Sequence, residues 1–367
     1  MAVTDREQEI LALIRQNPMI SQNELAELCG ITRSGVAAHI SNLTRKGYIQ
    51  GKGYVLTPQR YVAVVGGVNM DIYGRASGTV VGPSSNVGRI VTYIGGIARN
   101  VSFDLTRLGV PNYLISVYGD DYNGERFKAD ALENGLDITH ARQLPHTDTS
   151  TYMSVIDETG RQLVGLDDME IISEHITPDF LETRRALITR ASCTVLDSSL
   201  SHEAIAWLCE HCANPLFARV TSVNKASRLT DALPYLDTVV LSAPEANVVC
   251  GVEVCGEADA DRCAERLLEA GVRNAMLFLD DSSILYRNAE HRVFLPCIVD
   301  AEDLLYRNGA ASAALAALVW SGLEGCAFEE RARRAMVMAH LSMECVSATN
   351  PALSVAAVEA HRARFGE

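Results

Sequence analysis

After Pro58 the sequence predicts an α/β fold with a mainly parallel sheet covered on both faces, preceded by a separate helical module at residues 1–58. Three observations carry this expectation. Apolar runs of strand length ("YVAVV", "NYLISVYG", "CTVLDSS", "TVVLSAPE", "NAMLFLDD") alternate with amphipathic stretches such as "GIARNVSFDLTRLG" and "DADRCAERLLEAG". At 367 residues, with 48% hydrophobic and 21% charged, the chain exceeds one small domain and can bury a sizeable core. Charge also divides it: residues 1–60 hold seven Lys/Arg against five Asp/Glu, a balance of +2, whereas the whole chain stands at −14.

The N-terminal module is read element by element. In "TDREQEILALIRQNP", Thr4 and Glu7 have capping-box spacing, Ile10, Leu11, Leu13 and Ile14 share a helical face, and Asn17-Pro18 stops the helix. Ser21 and Glu24 repeat the device in "SQNELAELCG", which Gly30 ends. A third helix, "TRSGVAAHISNLTRKG", turns Val36, Ile40 and Leu43 inward, and "YIQGKGYVL" reads as two short strands around a Gly-Lys-Gly turn. Two helices, a tight turn, a third helix and a basic hairpin form a winged helix-turn-helix, and the segment resembles bacterial regulators of that class. The third helix is expected in the major groove of double-stranded DNA. Thr32, Arg33, Ser34, His39 and Asn42 are the candidates for base edges or phosphates, and Arg45, Lys46 and Lys52 for backbone phosphates. So few cations give one module modest affinity, and the acidic remainder repels a duplex, so a homodimer presenting two modules is expected.

In the larger domain, residues 59–367, "YVAVVGGVNMDIYG" is an apolar strand ending in two glycines followed by Asn69 and Asp71. Ligands of such folds collect at the C-terminal ends of the strands, where Asn69, Asp71, Asp197 and Glu245 fall. "TYMSVIDETGRQLVGL" predicts a hairpin turning at Asp157–Gly160, which joins the stretch before Gly95 in a small sheet over the cleft. "RNGAASAALAALVW" starts a helix with glycine, alanine and serine and no acidic residue. Bare N–H groups at such a start form an anion site.

The ten cysteines are scattered in apolar contexts and read as buried thiols. Cys209 and Cys212 in "CEHC" have metal-ligand spacing, with His211 between them, but no second pair completes a site, so one face of a helix explains them better and no metal is expected. The charged start "MAVTDREQEI" and the lack of an apolar run of about 18 residues make a cytoplasmic protein with no membrane partner the expectation.

"GGVNMDIYG", "SSNVGRIVTYIGGIARNVSFDLTRLGV" and "SVYGDDYNGE" resemble the ribokinase/PfkB sugar-kinase family, in its pseudouridine-kinase-like branch, over roughly residues 61–366. The resemblance implies a ribokinase-like three-layer α/β domain with a small β lid, using ATP and Mg2+. It implies that Asp71, Gly95, Gly96 and Asn100 hold ribose hydroxyls, with Asn69 and Asn86 nearby. The second half departs from the family. Its "GAGD", an anion hole followed by the general base, is matched by Gly309-Ala310-Ala311-Ser312, so Ser312 stands where the aspartate is missing. "AEDLLYR" separates Asp300 from this motif, and "NxxE" is matched with Pro244 and Asn247 at its two ends. "TxG" is matched by Phe278-Leu279-Asp280, and Arg219 replaces a usual aspartate. A missing general base alone costs about 10²–10⁴ in rate.

The expected function is therefore a DNA-binding transcriptional regulator whose PfkB-type (pseudo)kinase domain binds a sugar or nucleoside as effector, with phosphotransfer weak or lost. The alternatives are an active kinase that phosphorylates a ribosyl hydroxyl of pseudouridine or a related ligand, with Glu302 or Asp303 as substitute base, and a scaffold that uses the fold only to dimerise.

Overall fold

The structure is a computed structural model and describes residues 3–50, 57–159, 161–279, 282–296 and 309–362. The chain divides into two compact units, Met1–Arg60 with Arg185–Arg190, and Tyr61–Arg184 with Ala191–Glu367.

The first unit contains helices Asp5–Gln16, Gln22–Cys29 and Arg33–Arg45. Both capping boxes form. Thr4 N donates to Glu7 Oε2 at 2.8 Å and Glu7 N to Thr4 Oγ1 at 3.3 Å, while Ser21 N donates to Glu24 Oε2 at 2.7 Å and Glu24 N to Ser21 Oγ at 3.2 Å. Gly30 ends the second helix in the left-handed conformation, φ 64°, which releases the chain into the turn before Thr32. Ile10, Ile14, Leu25, Val36 and Leu43 are fully buried, and Ile40 packs half-buried against them. The Gly-Lys-Gly turn of the expected hairpin, with Lys52, lies outside the described residues.

The strands of the second unit are, in chain order, β1 (Val62–Val65), β2 (Asn69–Ala76), β3 (Gly88–Gly95), β4 (Asn112–Ile115), β5 (Val117–Gly119), β6 (Arg142–Leu144) and β7 (Thr151–Ile156). There follow β8 (Gln162–Asp168), β9 (Cys193–Asp197), β10 (Leu216–Arg219), β11 (Leu236–Ser242), β12 (Asn274–Phe278), β13 (Ile284–Arg287) and β14 (Arg292–Leu295). The main sheet has the order β14-β13-β12-β11-β10-β9-β1-β4. It is parallel from β12 to β4, and β13 and β14 are added antiparallel at one edge. The short apolar runs become fully buried strands here: every residue of β1, β4 and β9 is buried, as a sheet with both faces covered requires. Ala310–Leu323 packs over β10 and β11 between Ile97–Arg107, which covers β9, β1 and β4, and Phe328–Met343, which reaches β14, and Glu257–Glu269 packs on β12 and β13.

A second sheet, β3-β2-β7-β8, forms the small sheet expected from "TYMSVIDETGRQLVGL" and the stretch before Gly95. The run "NYLISVYG", read as one strand, is split. β4 belongs to the main sheet and β5 pairs with β6, the change falling at Ser116, whose hydroxyl donates to Gly66 O at 2.6 Å. Among the described residues no helix is long and apolar enough to cross a membrane.

Candidate active site and nucleic-acid face

At the end of β1 the chain turns through Gly66-Gly67 into β2, which carries Asn69 and Asp71 along one wall of a cavity of about 480 Å³. Asn69 Nδ2 donates to Asp71 Oδ1 at 2.5 Å. Gly95 lies opposite Asn69 in the β2–β3 ladder, and a Cβ there would meet Asp71 Oδ2 at 2.3 Å, so glycine makes room for the carboxylate. Burial lifts the Asp71 pKa to about 6, opposed by the Asn69 hydrogen bond and the Arg99 cation. Gly96 adopts φ 99°, and a Cβ would come within 2.3 Å of Gly67 O. Gly96→Ala is therefore expected to lower stability by about 2–4 kcal/mol, read as a lowered melting temperature.

Asn100 projects from the first turn of Ile97–Arg107 into the same cavity, and its Oδ1 accepts from Arg99 Nη1 at 3.2 Å. Arg99, not anticipated from the sequence, organises this wall. It is 3% exposed, pairs with Asp130 at 2.7 Å and donates to Thr349 Oγ1 at 3.1 Å. Its only signal is a lone cation inside "GIARNVSF". Asp104, one turn further along, is buried with Oδ2 unpartnered among the described residues, and burial pushes its pKa to about 8.

Ala310, Ala311 and Ser312 also line the cavity. Gly309 precedes the helix because a Cβ there would meet Ala348 O at 1.9 Å. The helical ladder starts with Ala313 N donating to Gly309 O at 3.0 Å, so the first-turn amides of 310–312 have no acceptor within the helix. Ser312 is 2% exposed, and its hydroxyl has no hydrogen-bond partner among the described residues. The remainder of Ala310–Leu323 is almost wholly buried, which accounts for its alanines as packing residues.

A third wall carries Arg219, Thr221, Glu245, Phe278 and Leu279. Arg219 Nη1 pairs with Glu245 Oε2 at 2.6 Å, and the same carboxylate accepts from Ser242 N at 2.7 Å. Arg219, at the position where the resemblance implies an aspartate, thus has an acidic partner, and Glu245 caps its helix. Asp167 of the small sheet is held by Lys225 Nζ at 2.7 Å. Mg2+ bound with substrate phosphates needs one or two available carboxylates. Both carboxylates named here are occupied by cations, and among the described residues no group of three or more His, Cys, Asp or Glu is placed to hold a metal. This wall therefore offers Mg2+ no unpaired carboxylate.

Several expected residues lie elsewhere. Asn86 is exposed in its loop, bonded to Val81 N at 2.8 Å and to Val81 O and Ser84 O at 3.1 Å, and does not line the cavity. A self-bonded amide in a loop is a turn-holding group. Asp197 is a fastener: it accepts from Gly67 N at 3.0 Å and Ser199 N at 2.8 Å, tying the β1 turn to the end of β9. Asn247 is exposed and outside the lining. Asp280, Asp300, Glu302 and Asp303 fall outside the described residues. In "CEHC", His211 stacks on Trp207 and its Nδ1 bonds Trp207 O at 2.8 Å, as a helix-surface role implies.

In the first unit, Thr32, Arg33, Ser34 and Arg45 are exposed, and His39 and Asn42 are half-buried. Thr32 Oγ1 caps the third helix through Gly35 N at 3.1 Å, so its hydroxyl has a structural duty. Asn42 Oδ1 accepts from Arg45 Nη2 at 2.7 Å. Lys46, expected at a backbone phosphate, has its ammonium 2.7 Å from Glu7 Oε2, and Glu7 is 2% exposed and held below the usual carboxylate range chiefly by that bond. Lys46→Met leaves a buried carboxylate unpaired and is expected to cost about 3 kcal/mol, measured by thermal melting.

A three-layer α/β domain with a small β sheet, a buried Asn-Asp pair and a facing helix start defines a protein of the carbohydrate-kinase class. The chain belongs to the pfkB family of carbohydrate kinases, whose pattern matches residues 59–355. A winged helix-turn-helix DNA-binding pattern matches residues 4–50. Among the curated relatives, the uncharacterized sugar kinase YeiI of Escherichia coli K12 is 35% identical over 353 residues, 96% of this chain and 97% of that one. The pseudouridine kinase of the same organism is 28% identical over 299 residues, 81% and 95% of the two chains. Among solved structures, the ribokinase of Thermotoga maritima shares the fold with a TM-score of 0.68 at 18% identity, over 82% of this chain and 99% of that one.

Proposed function

We propose that the chain is a cytoplasmic DNA-binding regulator whose PfkB-type domain binds a sugar or nucleoside as effector and has weak or no phosphotransfer. The observation that carries this reading is Ser312. Matched to the family's "GAGD" through Gly309-Ala310-Ala311-Ser312, it takes the place of the base, and it is buried against the cavity, with no side chain among the described residues to take its proton. A serine hydroxyl does not act as a base at neutral pH without such a partner. The hydroxyl-binding wall keeps its Asn69, Asp71 and Asn100, so binding outlasts turnover in this account. Closure of the small sheet on the effector would shift the orientation of two winged helices in a homodimer, by favouring the closed state that binds the ligand better.

A second reading, a working ATP- and Mg2+-dependent kinase, is favoured by the 28% identity to a pseudouridine kinase. The regulator reading is tested with a duplex selected by the full chain from a random library. Pseudouridine or ribose is expected to shift the affinity for that duplex several-fold, and Asn100→Ala to abolish the shift without weakening DNA binding in the absence of effector. A duplex affinity indifferent to every ligand that binds contradicts the reading.

A further inference from the structure

We infer that the effector arrives already phosphorylated, as a sugar phosphate or nucleoside monophosphate. Its hydroxyls lie at Asn69, Asp71 and Asn100, and its phosphate at the first turn of Ala310–Leu323 beside Ser312. This rests on the effector-binding reading of the domain. Both ends belong to one cavity of about 480 Å³, a size suited to a ligand of this class. At the start of Ala310–Leu323, three first-turn amides without helical acceptors present donors and the positive end of the helix dipole.

Ser312 supplies the independent observation. It is 2% exposed, lines the cavity and has a hydroxyl that no described residue engages. A hydroxyl donates to a phosphate oxygen; an aspartate in its place would oppose a resident dianion by roughly 10²–10³-fold in affinity. In a catalyst that repulsion helps expel a phosphorylated product, so its removal favours retention. Thr221 Oγ1, buried and without a partner among the described residues, is a further donor on the adjoining wall. Arg219 makes its hydrogen bonds through Nη1 alone, leaving Nε and Nη2 unengaged by described residues. The described carboxylates of the lining do not oppose the anion as free charges: Glu245 is paired with Arg219, Asp167 with Lys225, and Asp71 serves the hydroxyl end. The apolar Phe278 and Leu279 on the next wall suit one phosphate better than a polyphosphate.

The test is calorimetry on the full chain with matched probes, ribose against ribose 5-phosphate and pseudouridine against its 5′-monophosphate, with ADP release from ATP and Mg2+ followed in parallel. In at least one pair the phosphorylated member is expected to bind at least about 10-fold tighter, the gain of a charge-assisted contact. Ser312→Asp is expected to reverse that preference through lost affinity for the phosphorylated member; Ser312→Ala, a milder change, is expected to reduce it by about threefold. Melting curves check that both variants fold, and the unmodified chain alone already decides the preference. Equal affinity within each pair, or a preference untouched by both variants, overturns the inference and leaves the effector reading standing. Robust ADP release, or no binding of any probe, overturns both.

Discussion

Asp71→Asn is expected to make the kinase-type unit more stable at neutral pH while weakening effector binding by roughly 10²-fold, because a charged acceptor for two hydroxyls is gone. The two effects share one cause. Burial raises the Asp71 pKa from 3.8 to about 6, so the folded protein holds this proton more tightly than the unfolded chain. Stability therefore falls as pH rises between about 4 and about 6, and above that window the ionised carboxylate costs about 3 kcal/mol. Asparagine keeps the shape without that penalty. The variant is expected to lose the Asp71 share of the fall in melting temperature across the window, while Asp104, which burial also raises, keeps its own, and to melt a few degrees higher at pH 7. For the unmodified chain, effector affinity is expected to drop as pH falls below about 6, because the protonated carboxyl is a poorer acceptor. Melting curves from pH 4 to 7, with calorimetry at both ends, check both directions. Equal pH dependence in the two proteins would mean that Asp71 is not the strained group of the site.

Arg33→Ala combined with Arg45→Ala is expected to weaken duplex binding by roughly 10–10²-fold at physiological salt. The same change should flatten the slope of log K against log salt by about 2, since each arginine neutralises one phosphate and displaces its counterion. Both side chains are exposed, at the two ends of the third helix. Lys46→Met makes the internal control. Its cation is engaged by Glu7, so the variant should melt earlier and keep the salt slope. Anisotropy with a labelled duplex across a salt series measures all three proteins. A double variant that binds DNA unchanged would make the module a docking domain for another protein.

Much of this was legible because local rules and tertiary context agree. Thr4 with Glu7 and Ser21 with Glu24 satisfy their own amides without help from the rest of the fold, so the sequence spacing is sufficient. The Asn69-Asp71 wall was legible because glycines 95 and 96 mark the close approach that the carboxylate and the Gly67 carbonyl demand. What stayed hidden depends on partners distant in sequence. Lys46 turns inward because Glu7, 39 residues earlier, is buried beneath it. Asp197 fastens Gly67 across 130 residues, and Arg219 finds Glu245 only once β10 and β11 lie side by side. The antiparallel edge of β13 and β14 is carried by short strands that no helix separates, so the alternation of strand and helix did not announce it.

The central claim is that this kinase-type cavity binds without transferring phosphate. Its most direct test is ADP release by the purified full chain with ATP, Mg2+ and a panel of sugars and nucleosides including pseudouridine, with Ser312→Asp run alongside. The account predicts turnover at least about 10²-fold below that of an intact family kinase, the deficit of a missing general base. It predicts a gain of about 10-fold or more when the aspartate is supplied at position 312. Rapid turnover by the unmodified chain, indifferent to residue 312, would contradict the account and place the base elsewhere in the chain.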